Sequence, residues 1–314
     1  MHVLVTGGLG FLGHAVALDL LAAGHRVTVL SRGRTDRKPA PGADLVTGDL
    51  RDRAGIAAVV RTGSYDGVVH LAALTSGRDS LANPLTYFNV NATGTLHLLM
   101  ALDSVRDRAA PASFVLASTN IVYGSQRSGT LSEDLEVHPE SPYGASKVAA
   151  EQMVAGYAAT GAFGAMTVRP FNVAGAVDGI ADTDPVRLIP NVFRAMTGQI
   201  DYLTLNGDGS AVRDFVHIAD VATGIRLALD ACTPGTHHVL NLASGVGTSM
   251  AGVIAAAEQV TGRSVAVRQR PPKPEPSHLV GEISRARALL GWEPACSGLT
   301  RMITDGWTAW QRLG

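Results

Sequence analysis

Val3-Leu-Val-Thr-Gly-Gly-Leu-Gly-Phe-Leu-Gly13 decides the fold. A short apolar β run, Val3-Leu-Val-Thr6, passes without a break into a turn whose glycines fall at Gly7, Gly10 and Gly13. From His14 to Ala23 apolar residues recur at helical spacing, Gly24 stops that helix, and Val27-Thr-Val-Leu30 supplies a second strand. A strand, a glycine turn, a helix and a strand in such a short span make a βαβ unit, which pairs its strands in parallel. The glycines let backbone approach a pyrophosphate at the positive end of the helix, so the unit reads as a dinucleotide-binding turn.

Composition bounds the rest. The chain has 314 residues, 46% hydrophobic and 17% charged, which suits a well-packed protein of one large domain or two lobes sharing a cleft. The formal net charge is −1 with no long run of one sign, which gives no ground for nucleic acid or an anionic membrane as partner. Cys232 and Cys296 stand far apart and the ten histidines are scattered, so no metal site is expected. The apolar stretch from Ala15 to Leu30 is broken by Asp19, His25 and Arg26 and does not span a bilayer. No secretion signal fits, and a cytoplasmic protein is expected.

Ser141-Pro-Tyr-Gly-Ala-Ser-Lys147 carries the chemistry. Pro142 suits a first helical turn, which has no use for its missing N–H. Tyr143 and Lys147, four residues apart, then share a face and put a phenol beside an ammonium. The positive charge is expected to favour phenolate, so that Tyr143 takes a proton from a sugar hydroxyl or returns one to a carbonyl. Thr119 ends another apolar strand, Phe114-Val-Leu-Ala-Ser-Thr119, where ligands sit in open α/β sheets. Its hydroxyl is the third candidate, to hold the substrate oxygen.

Together these motifs resemble the extended branch of the short-chain dehydrogenase/reductase superfamily. The order of segments matches over essentially the whole chain. The Thr6–Gly13 turn has that branch's glycine pattern, and Leu45-Val-Thr-Gly-Asp-Leu50 resembles the segment whose acidic residue, here Asp49, meets the adenine. Val68-Val-His-Leu-Ala-Ala73 reads as a fourth strand ending in small residues, and Asn91 takes the place of a structural asparagine in a long helix. The resemblance implies a dinucleotide held by Gly7, Gly10, Phe11, Leu12 and Gly13, by Ser31, Arg32, Asp49 and Leu50, and by Leu71, Ala72, Ala73 and Asn91. Tyr143 and Lys147 complete that set. Where NAD-preferring relatives end the second strand in a carboxylate, this chain has Ser31-Arg-Gly-Arg34, with Arg37 and Lys38 behind. Serine and arginine hydrogen-bond and neutralise a 2′-phosphate that a carboxylate repels, so NADP is the expected cofactor, with NAD as the alternative.

The second half resembles the substrate lobe of nucleotide-sugar epimerases. Arg169-Pro-Phe-Asn-Val-Ala-Gly-Ala176 matches a diphosphate-holding segment through Asn172, and Leu188-Ile-Pro-Asn-Val192 a helix along the pyrimidine, with Asn191. Asn206–Asp220 is the strongest match. Arg213 there is expected on a diphosphate oxygen, while Asp214 either orients that arginine or caps the turn. In Arg268–His278 the match loosens: Arg270 or Lys273 is the candidate second phosphate contact and Glu275 the ribose contact, in a Pro-rich stretch that also reads as a surface linker. The 4,6-dehydratases of this branch carry an acidic pair after the catalytic threonine. Asn120 and Ile121 stand there in this chain and handle no protons.

The expected architecture is α/β, a doubly wound Rossmann parallel sheet with a smaller C-terminal α/β substrate lobe. The Rossmann lobe spans residues 1–170 with a returning segment about 213–242; residues 171–212 and 243–314 form the nucleotide-sugar lobe. The expected activity is 4-epimerisation of a nucleotide-diphosphate sugar by transient hydride transfer to a bound nicotinamide cofactor, using Thr119, Tyr143 and Lys147. The alternative is NADPH-dependent reduction of a nucleotide 4-keto-sugar by the same residues. The resemblance implies a homodimer through the helices beginning near Asn91 and Tyr143; Ala149, Ala150, Met153, Leu98 and Leu99 suit that contact and equally suit a monomer core.

Overall fold

A computed structural model describes residues 1–33, 35–105, 112–125, 128–272 and 276–313. β1 (His2–Thr6) is buried at all but its first residue and runs into the glycine turn, and α1 (Phe11–Ala22) follows. β2 (Arg26–Ser31), β3 (Asp44–Thr47), α2 (Arg53–Gly63) and β4 (Gly67–His70) complete the first half of the sheet. Two short helices, α3 (Gly77–Ala82) and α4 (Pro84–Tyr87), lead through a π turn at Phe88–Thr93 into α5 (Gly94–Asp103). The long helix expected around Asn91 is thus interrupted by a wide turn, a feature found most often at functional sites.

β5 (Ser113–Ala117) stops two residues before Thr119, and β6 (Gly129–Leu131) leaves for the second lobe. α6 (Pro142–Ala158) starts as its sequence requires: Pro142 occupies the first turn and the Ser141 hydroxyl accepts the Gly144 N–H at 3.2 Å. β7 (Gly164–Pro170) is fully buried. The remaining elements are β8 (Asn172–Ala174), β9 (Ala176–Val177), β10 (Ile180–Ala181), α7 (Leu188–Met196), β11 (Leu203–Asn206), β12 (Val212–His217) and α8 (Ile218–Asp230). After them come β13 (His237–Leu242), β14 (Gly247–Ser249), α9 (Met250–Thr261), β15 (Val267–Arg270), β16 (His278–Gly281), α10 (Ser284–Leu290) and α11 (Leu299–Trp310).

The central sheet has seven parallel strands in the order β13-β7-β5-β4-β1-β2-β3. Order reverses between β1 and β4, the switch point at which doubly wound folds bind nucleotides. One apolar layer joins α1 and α8 to the sheet, and the other joins α2, α5 and α6. A second sheet, β14-β12-β16-β6 with β8 against β12, carries a separate core in which Phe193 meets Trp307 and Trp310. Two boundaries differ from the sequence reading. The chain returns to the Rossmann sheet at α8, not at Arg213, because β12 pairs with β8, β14 and β16. The Rossmann half also lends β6 to the other lobe, through its pairing with β16.

Candidate active site

One continuous cleft of about 1130 Å³ lies along the carboxyl ends of the strands, from the glycine turn to Arg213 and Met250. At its first end Gly7 has a positive φ of 73°, and a Cβ there would stand 2.8 Å from the Ala72 nitrogen. A Cβ on Gly13 would lie 2.2 Å from the Gly7 carbonyl oxygen. Only glycine allows so close an approach of turn, helix and the β4 exit. The N-cap of α1 is Gly10, with no side-chain cap on the first-turn amides, so the helix presents N–H groups and positive dipole to the cleft. A pyrophosphate fits this cradle.

Phe11, Leu12, Ser31, Arg32, Asp49, Leu50, Leu71, Ala72 and Ala73 line the same end, as expected, and Thr35 and Arg37 join them. Ser31 Oγ accepts the Gly33 N–H at 3.3 Å, and Arg32 sits close enough to help depress Asp49. The main cause of that depression is Arg51, whose guanidinium grips both Asp49 oxygens (Nη2 to Oδ2, 2.6 Å) and holds the carboxyl at about 2. Arg34 lies outside the described residues.

Behind the cofactor end runs a buried chain of hydrogen bonds. Thr6 Oγ1 accepts the Leu71 and Ala72 amides, so its proton goes to His70 Nδ1 at 2.7 Å. His70 Nε2 then donates to Thr95 at 3.0 Å, and Thr95 to the Asn91 carbonyl at 2.6 Å. Burial, reinforced by the Lys147 charge, holds His70 neutral at about 3. Asn91 is buried and does not line the cleft; it shapes it, taking the Leu74 N–H at 2.8 Å and donating to the Leu74 carbonyl and Ser146 Oγ, both at 3.0 Å.

The three candidate proton-handling residues, Thr119, Tyr143 and Lys147, line one cleft. Thr119 caps the short 3₁₀ turn Asn120–Tyr123, accepts the Ile121 N–H at 3.3 Å and places its hydroxyl near the Tyr143 phenol. Tyr143 and Lys147 are buried, and both line the cleft. Burial lowers Lys147 to about 8, against an opposing pull from Glu151. The sequence reading of Tyr143 is corrected in one respect. Its phenol stands above its ordinary value, because burial outweighs the nearby Thr119 hydroxyl and the Arg187 guanidinium.

In the substrate half, Asn172 lines the cleft and donates to the Asp214 carbonyl at 2.7 Å. Arg213 lines it too, with Nη1 on the Val212 and Pro276 carbonyls at 2.9 Å. Asp214 caps a turn: its carboxylate takes the Ser244, Gly245 and Gly281 amides. Asn191 is not brought into the cleft, because its amide is spent on the Pro185 and Arg187 carbonyls, 2.6 and 3.0 Å away. Arg270 ends the exposed strand β15 beside Asn206 and also stays outside. Lys273 and Glu275 lie outside the described residues. Among the described residues no acidic, histidine and cysteine group suited to a metal is found, and no helix is long and apolar enough to cross a membrane.

Sequence reasoning missed the segment 181–187, which lines the cleft opposite α6. There Arg187 is held by Asp182 at 3.1 Å and Asp184 at 3.5 Å. No motif marks it; loop packing alone brings it near Tyr143.

Comparison with known proteins adds three findings. Residues 3–243 match the sequence model of the NAD dependent epimerase/dehydratase family. The chain is 34% identical to a UDP-glucose 4-epimerase of Corynebacterium glutamicum, with 100% of this chain and 97% of that protein covered. Among solved structures, a UDP-glucose-4-epimerase from Stenotrophomonas maltophila with bound NAD and formylated UDP-arabinopyranose superposes with a TM-score of 0.90 at 32% identity, covering 100% and 98% of the two chains. A Bifidobacterium longum UDP-glucose 4-epimerase in complex with NAD+ and UDP gives 0.89 at 26%, covering 99% and 98%.

Proposed function

The chain belongs to the NAD dependent epimerase/dehydratase family, as an enzyme of the extended short-chain dehydrogenase/reductase type, and from that premise we propose how its residues work. It is a nucleotide-sugar 4-epimerase. One observation carries the mechanism: Thr119, Tyr143 and Lys147 meet in the middle of a single cleft whose ends offer a glycine cradle and Arg213. Arg213 and Asn172 hold the diphosphate, which leaves the sugar ring beside Tyr143. Thr119 holds the C4 oxygen and Tyr143 exchanges its proton. Lys147 supplies positive charge next to the phenol and donors for a ribose. When bound in the glycine cradle, the nicotinamide cofactor supplies a reversible hydride acceptor. The neighbouring Asn120 and Ile121 hold no titratable proton, which leaves epimerisation rather than dehydration.

The nucleotide is proposed to be uridine diphosphate, as in the complexes of the relatives. For the cofactor, Ser31, Arg32 and Arg37 at the adenosine end favour NADP, with NAD accepted as in those same relatives. Two chains are proposed to associate through α3, α4 and α5, where Leu81, Leu85, Leu96 and Met100 are exposed at 66, 81, 42 and 37%. Leu98, Leu99 and Ala150 do not serve there, because they fill the chain's own core. Light scattering on wild-type and Leu85→Asp proteins tests this: a dimer that the variant dissociates supports it, and a wild-type monomer refutes it. Incubation of the purified enzyme with UDP-glucose and no added cofactor tests the function; epimer formation supports it. Turnover restricted to NADPH plus a keto-sugar would instead establish the reductase.

A further inference from the structure

Tyr143, Lys147 and Glu151 follow one another at four-residue steps on α6 and therefore share a face. Glu151 is 3% exposed and does not reach the cleft. Its two oxygens accept a fork from Arg169 on β7, Nε to Oε1 at 3.1 Å and Nη2 to Oε2 at 2.7 Å, in a site where the two side chains are 4 and 5% exposed. Arg169 is fixed from its far side: its guanidinium lies over the Tyr123 ring at 4.9 Å, and Tyr123 donates to Asn241 Oδ1 at 2.7 Å. Asn241 in turn donates to the Leu131 and Glu282 carbonyls, which belong to the second sheet and its exit. The segment that resembles a diphosphate-holding stretch thus begins with an arginine that faces the catalytic helix instead.

We infer that Glu151 and Arg169 are the positioning pair for Lys147: the buried fork fixes a carboxyl group one helical turn from the ammonium, on the same face of α6. The charged and titratable groups around it are few. Lys147 is faced by His70 from β4, with Tyr143 and Glu151 on its own helix; Glu151 is faced by Arg169 and, from β13, by His237. His70 is neutral, so Glu151 is the group that opposes burial at Lys147. With Lys147 at about 8, the ammonium predominates only about tenfold at pH 7. Loss of the Glu151 charge removes that margin. Arg169 is required because a buried carboxylate without a cation partner is costly.

The test is a ¹³C NMR titration of the lysine ε-carbons on wild type, Glu151→Gln, Arg169→Lys and the Glu151→Gln/Arg169→Met double variant, each with its melting temperature and pH–rate profile. The expected result is a Lys147 midpoint near 8 in wild type. Both variants lacking Glu151 should fall by about one pH unit, with the basic limb of kcat moving equally. Arg169→Lys, which keeps a cation opposite Glu151 but loses the fork, should leave the midpoint in place while lowering the melting temperature. The double variant should melt closer to wild type than Glu151→Gln, because no buried charge is left unpaired. A Lys147 midpoint unmoved in the double variant overturns the inference, whatever its stability. The inference rests on the role proposed for Lys147, but a wild-type protein inactive on every nucleotide sugar would sink that function without touching the NMR midpoints.

Discussion

Asn91 Nδ2 lies 3.0 Å from Ser146 Oγ, and Ser146 donates to the Tyr143 carbonyl at 2.7 Å. Through these two bonds the π turn before α5 holds the start of α6. The same Asn91 side chain pins the cleft wall at Leu74. Asn91→Ala strands three polar groups and should cost about 1–3 kcal/mol, read as a lower denaturation midpoint. With the helix start released, kcat should drop roughly tenfold to a hundredfold. Wild-type turnover in a destabilised variant would show that Asn91 only braces the fold.

Tyr143→Phe keeps the ring that packs edge-on against Tyr87 but removes the proton carrier. Its kcat should fall about 10²- to 10⁴-fold with the melting temperature nearly unchanged. Thr119→Val, which removes the hydroxyl near the phenol, should lower kcat less. Rapid-quench turnover on both variants checks the order of these effects.

Lys147 ties activity and stability to pH in opposite directions. Its folded value, about 8, lies below the ordinary lysine value of 10.5, so between these limits the unfolded chain binds more protons. Stability contributed by this site therefore rises with pH across that window. Activity should fall through the same window as the ammonium is lost. Denaturant melts and initial rates at matched pH values from 7 to 10 read the two trends; parallel trends would mean that another group dominates.

Arg32 is exposed at the cofactor end and unneeded by the core. Arg32→Asp should raise the NADPH dissociation constant about tenfold to a hundredfold, the cost of a charge-assisted contact, and leave NADH within about threefold. Fluorescence titration of both reduced cofactors measures this. Tighter binding of NADH than NADPH by the wild type would discard the NADP preference.

What the sequence disclosed was what local chemistry determines. The Gly7–Gly13 turn needs positive φ and close backbone approach, and Ser141-Pro142 starts a helix wherever it is placed, so both could be read without a structure. Arg187, the Asn91 contacts and the Glu151–Arg169 pair depend on side chains 17 to 55 residues apart or on loop packing, and left no local pattern. Asn191 shows the converse. Its helix lines the cleft through Leu188, Ile189, Pro190 and Phe193, but the Asn191 side chain satisfies carbonyls of its own loop. The direction of the Tyr143 shift was also illegible, because burial, which sequence does not measure, outweighs the neighbouring charges.

The most direct test is proton NMR of the purified protein with UDP-glucose and no added cofactor. Appearance of the anomeric signal of the C4 epimer, abolished in Tyr143→Phe, is the predicted result. An unchanged UDP-glucose spectrum, from a protein shown to contain bound nicotinamide cofactor and offered UDP-galactose with the same outcome, would contradict it.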